Sequence, residues 1–374
     1  MTTETTELHP ALRPGRLGRL DLPNRLLVAP MTRVSARPDG VPTEAMADYY
    51  AEFAAGGFGL VISEGIYPDA AYSQGYLDQP GLVTHAHVEG WREVTDRVHA
   101  EGARFVAQLM HAGALSQGNP HREGTLGPSP VRPLGEMMAA YGGSGPWPVP
   151  REATTDDLAE VVEGFAAAAR NAAAAGFDGV EVHGANGYLL DQFITEYTNQ
   201  RTDRYGGSTA NRVRLTAEIV ARIVAEAPEG FTVGVRVSQT KVNDVVYRWS
   251  GGADDVSVIA SVLADTGADY LHVASEGRSW FETARLEGES TVTRLAREIS
   301  GLPVIANGGM HEPDQAARVL TEEHADFLAV GHAALANPDL PQRWAVGLDL
   351  TPFDPEMLRP DVTLSTSSRW RQAV

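Results

Sequence analysis

The segment HGANGYLLDQF places His183, Asn186 and Tyr188 within six residues of one another. An imidazole and an amide can both donate hydrogen bonds to a carbonyl or nitro oxygen that gathers negative charge, and a phenol can protonate the neighbouring carbon. That is electrostatic stabilisation joined to general acid catalysis. Taken singly, each residue has a plainer reading, His183 as a hydrogen-bonded core histidine and Tyr188 as an ordinary rim aromatic.

Three further features bear on chemistry. Arg236 lies within the apolar run VGVRVS, where an unpaired cation is costly, so it needs an anionic partner, either a structural carboxylate or a cofactor. The Gln108 amide offers a donor and an acceptor, which suits a heterocycle edge carrying C=O and N–H. Gly308-Gly309, after Asn307, and Gly331, before His332, end two apolar runs. They fit a phosphate site built from backbone N–H groups, although glycine at such turns also serves backbone geometry alone.

These residues fall at the ends of eight short apolar runs, each followed by a turn and then helical periodicity, the pattern of repeated βα units. The runs are RLLVAPM, FGLVISEG, ARFVAQLM, FDGVEVHG, FTVGVRVS, DYLHVAS, PVIANGG and ADFLAVGH. Thr154 and Asp157 have capping-box spacing ahead of Leu158, Val161, Val162, Phe165 and Ala169; Val213, Thr216, Val220 and Ile223 define a second helix face, and Val256, Ile259 and Leu263 a third. Eight units without a break predict a closed (β/α)8 TIM barrel in one domain over 1–374. Reactive groups in such a barrel come from strand C-terminal ends, which here carry Met31, Thr32, Glu64, Gly65, Gln108, His111, His183, Arg236, Ser275, Asn307 and His332. The Gly/Pro-rich stretch 113–150, after the third strand, is expected to form a lid on that face or a surface insertion without a role. The stretch 352–374 is expected to be an irregular tail.

Composition removes several function classes. Thirty Lys+Arg against 49 Asp+Glu give a net charge of −19, which repels nucleic acid and anionic lipid. The absence of cysteine excludes thiolate nucleophiles, disulfides and iron–sulfur clusters, and no metal site is expected. The opening MTTETTELHP lacks the basic and apolar regions of a signal peptide, and no run is apolar enough to span a bilayer, so a cytoplasmic location is expected.

With these residues assembled, the chain resembles the old yellow enzyme family of FMN-dependent ene reductases, the NADH:flavin oxidoreductases. The shared motifs are NRLLVAPMTR, QLMHAG, GPSPV, HGANGYLLDQF, NQRTDRYGGS, GVRVSQTKVND and ANPDLP, in family order. The resemblance implies a barrel with FMN across its C-terminal mouth. Pro30, Met31, Thr32 and Gly65 would line the isoalloxazine, Gln108 would bond its pyrimidine ring, and Arg236 would stabilise negative charge on the reduced flavin. Phosphate would rest on Gly308, Gly309, Gly331 and His332, with Asn307 among the cofactor residues. His183 and Asn186 would bind the substrate oxygen and, in turn, the nicotinamide of NAD(P)H, in a ping-pong scheme. Tyr188 would protonate an alkene substrate such as an enone, enal, maleimide or nitroalkene.

The sequence departs from the family pattern at four places. His332 replaces an arginine and loses its bidentate fork, which weakens the expected hold on FMN. Met110 replaces a tryptophan on the substrate wall, Ala114 follows HAG where arginine is common, and Thr32 stands where one branch has cysteine. Two other readings use the same site: a specialised pathway reductase, desaturase or isomerase, and a flavin-binding barrel without turnover. Homo-oligomers are common in the family, though no surface stripe in the sequence points to one.

Overall fold

The computed structural model describes residues 8–275, 280–286, 288 and 290–373. The first seven residues, read above for a targeting signal, lie outside these.

All eight apolar runs form strands: β1 (Leu26–Val28), β2 (Leu60–Ile62), β3 (Arg104–Leu109), β4 (Gly179–Asn186), β5 (Thr232–Lys241), β6 (Tyr270–Ala274), β7 (Val304–Asn307) and β8 (Phe327–Val330). They pair in parallel into a closed barrel, and β8 returns to β1 with Leu328 opposite Leu26 and Val330 opposite Val28. Strands covered on both faces must be apolar throughout, which is why the runs read as continuous rather than alternating. The covering helices are α1 (Glu44–Ala55), α2 (His85–Ala100), α3 (Thr155–Ala174), α4 (Thr209–Val224), α5 (Ala253–Ala264), α6 (Val292–Ser300), α7 (Pro313–Thr321) and α8 (Leu340–Val346).

The sequence pattern sets the helices locally. Thr154 caps α3, its hydroxyl accepting from Asp157 N at 3.1 Å while the Asp157 carboxylate accepts from Thr154 N at 2.7 Å. Leu158, Val161, Phe165 and Ala169 are then buried, and Val162 is partly so. Each large apolar side chain on that face contributes roughly 1.5–3 kcal/mol.

A hairpin, Gly15–Leu17 with Leu20–Leu22, precedes β1. Its Leu17, Leu20 and Leu22 pack with interior residues of the barrel, including Leu27, Ile62, Val106 and Ile305. Arg19 ties it to Asp269, at the start of β6, at 3.1 Å. The hairpin closes the barrel at the N-terminal ends of the strands, which leaves the opposite mouth for a ligand.

The insertion 113–150 holds short helical turns at Gly113–Leu115 and Ala139–Tyr141 and a two-residue strand at Leu126–Gly127. The tail over 352–374 is not irregular, contrary to expectation. It carries a helical turn, Pro355–Leu358, and a helix, Leu364–Ala373, that docks back on the chain start. The helix has only weak amphipathic periodicity: Leu364 joins the apolar core and Trp370 packs against it, while Thr363 O and Ser367 Oγ accept from the buried Arg33 guanidinium, and Arg371 reaches Glu52 at 2.8 Å.

Candidate active site

A cavity of about 1170 Å³ opens at the C-terminal ends of the strands. Every residue singled out above for cofactor or substrate lines it: Pro30, Met31 and Thr32 after β1, Gly65 after β2, Gln108 and Met110 from β3 and its exit, and His183, Asn186 and Tyr188 from β4 and its exit. Arg236 enters from β5, Asn307, Gly308 and Gly309 from β7, and Gly331 and His332 from the exit of β8. Of the other strand-end residues, Ser275 lines the cavity, whereas Glu64 and His111 are buried away from it.

The turn after β4 aims the reactive groups. Asn186 and Gly187 have φ of 65° and 88°, a left-handed pair that bends the chain sharply. The Asp191 carboxylate accepts from Gly187 N at 2.6 Å, and Lys241 Nζ lies 2.7 Å from each of its oxygens. This buried ion pair sits beneath the turn and fixes it. Burial pushes the Asp191 carboxyl up and the Lys241 ammonium down, each held against that trend by the other. His183 and Tyr188 then lie with ring centroids 5.3 Å apart.

Burial, with the Arg236 and His272 charges, pushes His183 well below the usual histidine range, so at neutral pH it is a neutral imidazole. Its Nδ1 is buried with no hydrogen-bond partner among the described residues. Arg236, opposite His183 in the β4–β5 register, donates to Asn307 Oδ1 at 2.9 Å and to Asn186 Oδ1 at 3.3 Å. The second bond turns the Asn186 amide nitrogen away from Arg236.

Gln108 is also held from below: its Nε2 donates one N–H to the buried Glu181 carboxylate at 2.8 Å, which fixes the orientation of the amide and leaves its second N–H and its carbonyl for other partners.

Sequence reasoning missed residues that reach the site from elsewhere. The Tyr76 hydroxyl contacts that of Tyr188, and its ring stacks on Tyr141 from the 113–150 insertion at 4.5 Å and 25°. Tyr76 is fully buried and shares a cluster with Met110, Leu115, Trp147 and Tyr188. Glu64 accepts from the backbone N–H of Arg33 at 2.9 Å and of Val34 at 3.1 Å, bracing the loop that carries Thr32. Glu64 was visible as a polar strand end, but its task was not.

The cavity fits a flavin mononucleotide. The unpartnered His183 Nδ1, the Gln108 amide and the Arg236 cation gather at one end. At the other, Gly308 and Gly309 have φ of 125° and 67°, conformations that other residues rarely adopt. A Cβ on Gly331 would meet no atom within 3.7 Å and would occupy cavity space instead. The His332 ring stacks on Phe353, with centroids 4.4 Å apart and planes at 9°, and lines that end without the reach of an arginine.

The comparisons agree. Residues 12–351 match the NADH:flavin oxidoreductase / NADH oxidase family. The chain is 33% identical to 12-oxophytodienoate reductase 1 of Oryza sativa subsp. japonica over 92% of this chain and 88% of the relative. Among solved structures it is similar to the old yellow enzyme homologue from Zymomonas mobilis, with a TM-score of 0.84 and 31% identity over 94% of this chain and 96% of that one. It is also similar to morphinone reductase in complex with tetrahydroNAD, with a TM-score of 0.83 and 34% identity over 93% of both chains. A closed barrel whose C-terminal mouth fits FMN, in a chain so matched along its length, belongs to the old yellow enzyme family of FMN-dependent NAD(P)H oxidoreductases.

Proposed function

We propose that this protein reduces the C=C bond of small electron-poor alkenes such as enones, enals and nitroalkenes. The observation that carries this reading is the convergence of His183, Asn186 and Tyr188 on one cavity wall, two hydrogen-bond donors and one acid. Relatives named as reductases of oxophytodienoate and morphinone support it.

Bound FMN would supply the hydride chemistry that links NAD(P)H to the alkene. Pro30, Met31, Thr32 and Gly65 would line its ring, Gln108 and Arg236 would meet the pyrimidine edge, and Asn307, Gly308, Gly309, Gly331 and His332 would hold the ribityl phosphate. His183, neutral, and Asn186, with its amide nitrogen turned from Arg236, donate to the activating oxygen as it gains charge. Tyr188 hands its proton to the α-carbon, and the Tyr76 hydroxyl supports the phenolate that remains. Met110 and Tyr141 bound the substrate space.

The test is an anaerobic visible spectrum of the purified protein as isolated, after NAD(P)H, and after 2-cyclohexenone. A flavin band that bleaches and then returns supports the reading. A band that bleaches and stays bleached with enones, enals and nitroalkenes alike removes the general ene-reductase function, and a band that never bleaches marks a barrel without turnover.

A further inference from the structure

Below the cavity floor lies a carboxylate that the reaction above does not use. Glu181 faces Gln108 across the β3–β4 pair and accepts from its Nε2 at 2.8 Å through one oxygen. The other oxygen accepts from the Tyr270 hydroxyl at 3.2 Å and lies 2.9 Å from His272 Nδ1. Glu181, Tyr270 and His272 are wholly buried. The tyrosine reaches the carboxylate because the residue between them in register, Gly234, has no side chain, and a Cβ there would lie 2.0 Å from Tyr270 Cζ.

Burial opposes a charge on Glu181, yet the His272 and Arg236 charges and these hydrogen bonds hold its carboxyl below the usual carboxylate range. Burial likewise pushes the His272 imidazole down. Glu181 is thus a buried anion contacted by three groups, Gln108 Nε2, the Tyr270 hydroxyl and His272 Nδ1. Arg236 is the register partner of both His183 and His272, and Glu181 lies two residues before His183 on the same strand face. The anion is thus set one layer beneath the cation that meets the ligand.

A buried charge is a costly way to fill a barrel when an apolar residue packs as well. Two consequences here would be lost with it: the amide of Gln108 would be free to turn over, and Arg236 would act with its full field. We propose that Glu181 is a positioning residue for the pyrimidine edge of the flavin. It fixes the orientation of the Gln108 amide by holding one N–H of its Nε2, and it tempers the positive potential of Arg236 at that edge. The proposal rests on the seating of FMN given under Proposed function.

The two effects separate by substitution. Glu181→Gln removes the charge, whereas Glu181→Asp keeps it and withdraws it from Gln108 by one methylene. Apoprotein is titrated anaerobically with oxidised and with dithionite-reduced FMN, for wild type, both variants and Gln108→Leu. Glu181→Gln is expected to raise the ratio of reduced to oxidised FMN affinity about tenfold, because the anionic reduced form then meets an untempered arginine. Glu181→Asp is expected to weaken both forms about tenfold with the ratio unmoved. If both Glu181 variants match wild type in both titrations while Gln108→Leu binds weakly, the carboxylate is structural and the proposal is overturned with the FMN seat intact. If Gln108→Leu also matches wild type, the seat itself is wrong and the proposal falls with it. Should Glu181→Gln fail to fold, the Asp variant decides the locking of the amide alone, and unchanged affinity there overturns it.

Discussion

Tyr188, the acid of the proposed reaction, has its hydroxyl against that of the fully buried Tyr76. Tyr188→Phe should slow alkene reduction by about 10²–10⁴-fold while leaving the bleaching of FMN by NAD(P)H at its wild-type rate. Stopped-flow measurement of the two half-reactions separates these, and equal slowing of both would remove the proton-donor role. His332 raises a different matter, because it lines the end of the cavity proposed for the phosphate as a flat ring stacked on Phe353. His332→Arg should restore a bidentate fork and tighten FMN binding about tenfold, read by quenching of flavin fluorescence. No change would mean that the phosphate is held by the backbone alone.

The loop after β1 is braced from two sides, by Glu64 beneath it and by the C-terminal helix behind it. Burial raises the Glu64 carboxyl from 4.5 to about 7. The folded protein therefore keeps a proton that the unfolded chain has released, and the stability this brings is fully present below about pH 4.5 and lost as pH rises through about 7. On the order of 3 kcal/mol is involved if the whole shift is expressed. Between about pH 5 and about pH 8 the wild type should lose Tm relative to Glu64→Gln, and parallel melting curves would exclude the linkage. On the other side, Ser367→Ala strips a hydrogen bond from the buried Arg33 guanidinium. It should cost roughly 1.5–3 kcal/mol, read by urea unfolding, and a loss below about 0.5 kcal/mol would mean that the helix contributes little to the loop.

The chain as a body carries a net charge of −19, and its reductant is itself an anion. Such a field slows the encounter, and added salt screens it over about 10 Å at 0.1 M. The second-order rate of FMN reduction at sub-saturating NADH should rise roughly threefold between about 10 mM and about 200 mM salt. A fall instead would show that the cavity mouth is locally positive despite the surrounding field. The hairpin leucines pack inside the N-terminal end of the barrel, and the cavity opens at the other.

Each of the eight strands and the α3 cap was legible because the signals are local: a run of apolar residues, a turn glycine, a threonine three residues from an aspartate. The strand-end residues followed from them, since parallel βα repeats put every strand's C-terminal end on one face and Pro30, Gln108, His183, Arg236 and Gly308 therefore meet. The C-terminal helix was not legible, because Leu364 and Trp370 alone do not make an apolar stripe and its other anchors include hydrogen bonds from Arg33, 330 and 334 positions away. The same holds for Glu181 with Gln108, 73 positions apart, and for Tyr76 with Tyr188, 112 apart. Periodicity states which residues face inward, but hydrogen-bond partners depend on which strands become neighbours, at what register, and which loops fold over them. The list of residues at the mouth was thus written in the chain; which of them hold one another, and so which atoms remain to meet a ligand, was settled only when the barrel closed.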